Sequence, residues 1–176
     1  MPIFLPPTIT AGEVSWATSF SQTLADSSQI GIENYSFRQA IAASAISTSG
    51  TTIRVTISAN AGATSTFDNI SIVERSGSTE NGTTTPTELK FSGASGVSIS
   101  AGGTAVSDAL SFTLDETKSY LVILDFAASG GNAQRHSSAG DTVYFKAATN
   151  SWNVQSPAGF SSAATQTWSV SKIEVL

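Results

Sequence analysis

Apolar and polar residues alternate in short runs along much of this chain, and the period of two is that of half-buried β-strands. Ile53-Arg54-Val55-Thr56-Ile57-Ser58 puts Ile53, Val55 and Ile57 on one face and Arg54, Thr56 and Ser58 on the other. Asn69-Ile70-Ser71-Ile72, Val97-Ser98-Ile99 and Leu110-Ser111-Phe112-Thr113-Leu114 repeat the pattern, with Gly, Ser, Thr or Asn between them. Tyr120-Leu121-Val122-Ile123-Leu124 is apolar at both parities, which predicts a central strand covered on both faces.

Other segments complete the series. A strand over Val14–Phe20 carries Trp16, and residues 21–34 read as irregular, with a helical turn near Gln22 to Asp26. Tyr35 to Ile46 reads as a strand that loosens at Ala40-Ile41-Ala42-Ala43. Leu89 and Phe91 open a further strand after a long polar loop from Ser76 to Pro86, and Thr142–Lys146 forms another after a loop from Ser129 to Gly140. In the last strand Trp168 and Val170 are followed by Ile173 and Val175, so parity slips by one and a β-bulge is expected near Ser171-Lys172. Trp16 and Trp168, both on strands, are expected in the core. About ten strands, with no convincing helix and no internal repeat, predict an all-β fold, an antiparallel, jelly-roll-like β-sandwich.

The first residues break the pattern. Three of the five prolines fall in Met1 to Thr10, and Pro6-Pro7 cannot sit inside a sheet. Residues 1–12 therefore read as an extended N-terminal arm and 13–176 as a single sandwich domain. Ile3, Phe4 and Leu5 are too apolar for a tail in water, so the arm either folds back over its own sandwich or docks on a neighbouring subunit.

Composition narrows the function. Charged residues are 12% of the chain, about half the usual share, while 30 serines and 22 threonines supply the polar surface. With a net charge of −5 and scattered Lys and Arg, no basic stripe exists to neutralise a phosphate backbone, so nucleic acid is not an expected partner. The longest apolar stretch, Tyr120 to Phe126, contains Asp125 and is too short to span a bilayer, so no membrane insertion is expected. No cysteine is present and no signal peptide is visible at Met1-Pro2-Ile3-Phe4-Leu5. An outward-facing Ser/Thr-rich composition without an export signal, in a chain that starts with Met and ends on a strand, is that expected of a complete virion component assembled in a host cytoplasm; an extracellular module is the alternative.

Residues 35–127 also carry a resemblance. Phe37-Arg38-Gln39, then Ile53 to Gly62, Leu89-Lys90-Phe91-Ser92-Gly93, and Val97 to Asp108 with its Gly103-Thr104-Ala105-Val106-Ser107-Asp108 segment stand in an order similar to the β-sandwich domain that precedes the catalytic domain in a group of SGNH/GDSL-type hydrolases. That accessory domain resembles carbohydrate-binding modules in shape, and similar stretches occur in bacteriophage-encoded proteins. The likeness covers about half the chain and rests on turn glycines and β-branched alternation, so it implies fold more than function. The Gly-Asp-Ser-type nucleophile block and the late Asp-x-x-His pair of those hydrolases are absent from this sequence.

Candidate chemistry is sparse. A Ser-His-Asp set can be written down from His136, Asp141 and any serine, but no residue marks one serine as a nucleophile, so no catalytic residue and no enzyme activity is expected. Asp68-Asn69, Asp108 and Asp141 lie near strand ends where a structural Ca²⁺ can bind. They form no dense Asp-x-Asp-x-Asp run, so no metal or cofactor is expected. Trp152, flanked by Asn150, Asn153 and Gln155, has the composition of a glycan platform, with Tyr144 and Arg135 as neighbours; capping its own core and packing on another subunit are the other two roles open to it. The expected function is that of a non-enzymatic bacteriophage virion protein. In this reading it is a surface-displayed or cementing sandwich that docks through Ile3, Phe4 and Leu5 on capsid or tail proteins and on its own copies. A carbohydrate-binding module or adhesin for cell-surface glycans is the second reading.

Overall fold

The structure, a computed structural model, describes residues 15–29, 31–137, 140–147, 150–163 and 166–176. The arm with Ile3, Phe4 and Leu5 lies outside them. The described residues are all-β, with sixteen strands in chain order: β1 Ala17–Ser21, β2 Asp26–Gln29, β3 Ser36–Ile41, β4 Gly50–Ser58, β5 Ser65–Glu74, β6 Thr87–Phe91, β7 Ala94–Ser95, β8 Val97–Ile99, β9 Thr104–Val106, β10 Leu110–Leu114, β11 Tyr120–Phe126, β12 Ala133–His136, β13 Val143–Lys146, β14 Ser161–Ala163, β15 Thr167–Trp168 and β16 Val170–Val175. The one helical piece among them is a 3₁₀ turn at Ala43–Ala45, where the Ala-rich sequence ends β3 earlier than Ile46.

Two antiparallel sheets face each other. The smaller runs β1-β16-β4, with the free side of β4 shared between β10 at Gly50–Ile53 and β9 at Thr56–Ser58. The larger runs β14-β13-β3-β11-β5, and β5 is likewise shared, between β8 at Ser65–Phe67 and β6 at Ile70–Ile72. A third, small sheet of β15-β12-β2 closes one end. Every pairing is antiparallel, as expected for an antiparallel β-sandwich.

The alternation read from the sequence is what fills the space between the sheets. Ile53, Val55 and Ile57 of β4 are fully buried, and they meet Phe37, Ile70, Ile72, Val122 and Leu124 from the larger sheet in one core. All seven residues of β11 are buried. Tyr120, Val122, Leu124 and Phe126 point into the main core, while Leu121 and Ile123 join Ala40, Val73 and Tyr144 in a second cluster on the outer face. The slip in the last strand is also present, as a register shift between Val170 and Lys172 against β4.

Several local expectations are corrected. Residues 26–29, expected irregular beside a helical turn, form β2, because β12 offers them a pairing partner. His136 lies on β12 rather than in a loop. Trp168 is buried in the core, but Trp16 is not: it lies just before β1, half-exposed, with the Arg54 guanidinium 4.5 Å from its ring centroid.

The sandwich has two distinct ends. Ala17 pairs with Val175, and Val175 with Ile53, so the chain enters β1 at the end where Phe112 and Tyr120 pack 5.9 Å apart. At the opposite end Phe37 packs 4.9 Å from Trp168, close to where Ser58 donates to the Ser169 carbonyl.

Candidate functional site

Two places gather the residues that sequence reading singled out, and they lie on different faces of the larger sheet. The first is the outer face. Residues 150–160 lie across it, and Trp152 and Phe160, both half-buried, pack on the second apolar cluster. Tyr144 shares that cluster: its hydroxyl accepts from Arg75 Nη2 at 2.6 Å and donates to the Ser78 carbonyl at 2.7 Å. Arg75 also pairs with Asp141 at 3.2 Å and donates to the Thr79 carbonyl, so the 76–86 loop is tied down beside β13.

Beneath this cover sits a charged clasp. Arg38 of β3 is fully buried and donates through Nη1 to the Glu80 carbonyl at 3.0 Å and through Nη2 to the carbonyls of Ser151, at 2.8 Å, and Val154. Asp125 of β11, also fully buried, accepts from the Ser151 and Trp152 amides at 2.9 and 3.2 Å. Asn150 adopts the left-handed conformation, φ 64°, just before those two amides, a geometry that Asn tolerates better than most residues. Burial holds Arg38 down at about 10 against the attraction of Asp125 and Glu80, and burial pushes Asp125 above the usual carboxylate range despite its amide donors. The clasp fixes the backbone of 151–154.

The second place is an open pocket of about 350 Å³ at the end of the sandwich marked by Trp168. Phe37 and Trp168 are its buried floor, and Ile32, Tyr35 and Phe145 line its walls. Strand alternation puts Phe145 here and its neighbour Tyr144 on the outer face. Arg135, projecting from β12, brings its guanidinium 5.5 Å from the Trp168 ring centroid. Trp168 is oriented from both sides: its backbone N–H donates to Gln39 Oε1 at 3.0 Å and its indole N–H to Gln166 Oε1 at 2.9 Å. An apolar, aromatic-lined concavity with a few fixed polar groups has the make-up of a small-ligand site.

The four residues expected to form a glycan platform are thus divided. Trp152 and Tyr144 lie together on the outer face with Asn153 exposed beside them, and Arg135 lies in the pocket. The rest of the expected chemistry is likewise dispersed. Nδ1 of His136 lies 2.8 Å from the Thr23 carbonyl oxygen and 3.3 Å from Gln22 Nε2. Asp141 is held by Arg75 and by the Thr142 amide, and Asp108 accepts from the Ser92 and Gly93 amides at 3.0 and 2.7 Å. Among the described residues no three His, Asp or Glu side chains gather as a metal site would require.

Sequence reading missed the aromatic pocket and the Arg38–Asp125 clasp. A signal for the clasp existed: Asp125 interrupts an otherwise apolar central strand, and a carboxylate there needs donors brought in from elsewhere. No comparable signal existed for the pocket, whose walls come from residues over a hundred positions apart. No protein-family model matches the chain, and no curated protein matches it.

Proposed function

We propose that this chain is a non-enzymatic structural protein of a bacteriophage particle, a sandwich displayed on the virion surface and anchored by its N-terminal segment. The observation that carries this reading is the layout of the two ends. The chain enters β1 at the Val175 end, while the aromatic pocket opens at the Trp168 end. A module tethered at one end and presenting a concavity at the other suits display, with Ile3, Phe4 and Leu5 buried against a capsid or tail protein or against another copy. Three such side chains offer on the order of 5 kcal/mol of apolar burial before ordering costs. The Ser/Thr-rich, low-charge surface and the similarity of residues 35–127 to a non-catalytic accessory sandwich support the same reading.

Deleting residues 1–10 tests it. Particles assembled with the truncated chain should lack the protein on mass spectrometry, while the isolated sandwich keeps its thermal midpoint. Full incorporation of the truncated chain would reject the anchoring role.

A second reading, recognition of cell-surface glycans, is favoured by the pocket itself. Tyr35 and Phe145 offer ring faces on which the C–H face of a sugar can pack, with Arg135 and Gln166 as planar polar groups at hand. Display and recognition are compatible in one molecule.

A further inference from the structure

The four arginines of this chain are not equivalent. Arg38 is spent on three backbone carbonyls, Arg54 on Glu174 at 2.8 Å, and Arg75 on Asp141 at 3.2 Å together with Tyr144. The Arg135 side chain makes no hydrogen bond and no ion pair among the described residues, while its backbone pairs with β15 and β2. Its Nε is buried with no partner, and its guanidinium leans on Trp168 at the rim of the aromatic pocket.

Among the four arginines, Arg135 is the one whose guanidinium has neither an acid nor a carbonyl partner among the described residues. Stacking on an indole orients a guanidinium and leaves its in-plane donors available, and those donors match a carboxylate in pairs. The cavity beside it, about 350 Å³, falls at the small end of ligand pockets, so it suits a single ring rather than a long chain.

We propose that this pocket binds a sugar residue bearing a carboxylate, a uronic or sialic type of acid, with Arg135 gripping the acid while Tyr35 and Phe145 flank the ring. The proposal rests on the glycan reading given above and adds to it the charge of the ligand. The acid pairs with a cation whose guanidinium has no other polar partner among the described residues, at the rim of the apolar walls. A neutral sugar of the same shape can use the walls but leaves Arg135 unanswered.

The test is a titration of the full chain with methyl β-D-glucuronide, N-acetylneuraminic acid and, as the neutral match, methyl β-D-glucoside, followed by NMR at the Trp168 indole N–H. One of the two acids is expected to shift that signal, with affinity falling as salt is raised. Arg135→Gln should weaken acid binding at least about tenfold, the share of a charge-assisted hydrogen bond. Arg135→Lys should restore part of the loss, and Lys118→Gln, at the opposite end of the sandwich, should change nothing. Equal binding of acid and neutral sugars, unmoved by Arg135→Gln, would overturn the acidic ligand and leave glycan recognition standing. Silence from both acids and from a broad panel of neutral glycans would overturn both. If Arg135→Gln alters the near-ultraviolet circular dichroism, Arg135→Lys and the salt dependence decide.

Discussion

Replacing Arg38 with Met removes one charge from the centre of the larger sheet while keeping most of the side chain's volume. The carbonyls of Glu80, Ser151 and Val154 lose the guanidinium donor, Ser151 keeping only the Val154 amide at 3.2 Å, and Asp125 loses the attraction of the cation. Because Arg38 is fully buried, water cannot replace these bonds without opening the 151–154 segment. Removing one partner of a buried charge set costs about 3–5 kcal/mol. For a chain of 176 residues, each kcal/mol moves the thermal midpoint by about 2–4 °C, so Arg38→Met should melt about 6–20 °C below the parent. Urea unfolding gives the free energy directly, through a lower midpoint at unchanged slope.

The pH dependence of the deficit provides a second check. Asp125 has its folded pKa raised by burial, so the folded state holds its proton more tightly than the unfolded chain does. Stability from this group is therefore fully present below the ordinary aspartate range and is lost as pH rises through the folded value. Without Arg38 the folded value rises further, so the deficit of Arg38→Met should be smaller near pH 4 than at pH 7. A loss under about 1 kcal/mol at pH 7 would place Arg38 among surface ion pairs and refute the clasp. So would a deficit that grows toward acid.

Two further outcomes follow from the same packing and charges. Glu174 is held below its ordinary pKa chiefly by its hydrogen bond from Arg54, so its contribution is present above the usual glutamate range and disappears as pH falls through the folded value. Glu174→Gln should therefore cost about 1 kcal/mol at pH 7, limited by the partial exposure of Arg54, and progressively less as pH falls below the usual glutamate range; a cost that stays constant toward acid in urea melts would remove the ion pair as its source. Trp152→Ala strips the cover from Leu121, Ile123 and Ala40 and should cost about 2–3 kcal/mol for a half-buried aromatic, with faster proteolysis of the 151–160 segment. A melt within about 0.5 kcal/mol of the parent would show that the ring does no packing there.

The fold was legible where side-chain alternation alone decides the outcome. The runs at Ile53–Ser58 and Tyr120–Leu124 fall on β4 and β11 with the predicted faces, and the parity slip in the last strand falls at Lys172. It was illegible where pairing partners decide. Asp26–Gln29 has no apolar period, yet β12 recruits it, and Ala133–His136 becomes a strand for the same reason. Trp16 reads as core because a strand over Val14–Phe20 carries it, but β1 runs from Ala17 at the edge of its sheet and the ring finds Arg54 instead. Of the candidate site, the residue types were legible and their grouping was not. Tyr144 and Phe145 are neighbours in sequence, and the pleat sends them to opposite faces, which separates Trp152 from Arg135.

The shared margins of β4 and β5 carry a consequence for the display role proposed above, in which copies would stand side by side. Each of these long strands is flanked by two short ones, β9 with β10 and β8 with β6, so neither sheet offers on that side a long, straight row of unpaired backbone groups to an adjacent molecule. Strand-to-strand fusion between crowded neighbours, the usual hazard of open sheets, is thereby discouraged by the backbone itself. With few charged residues in the chain to repel its copies, this interruption of the sheet margins is the backbone feature that works against such pairing on that side.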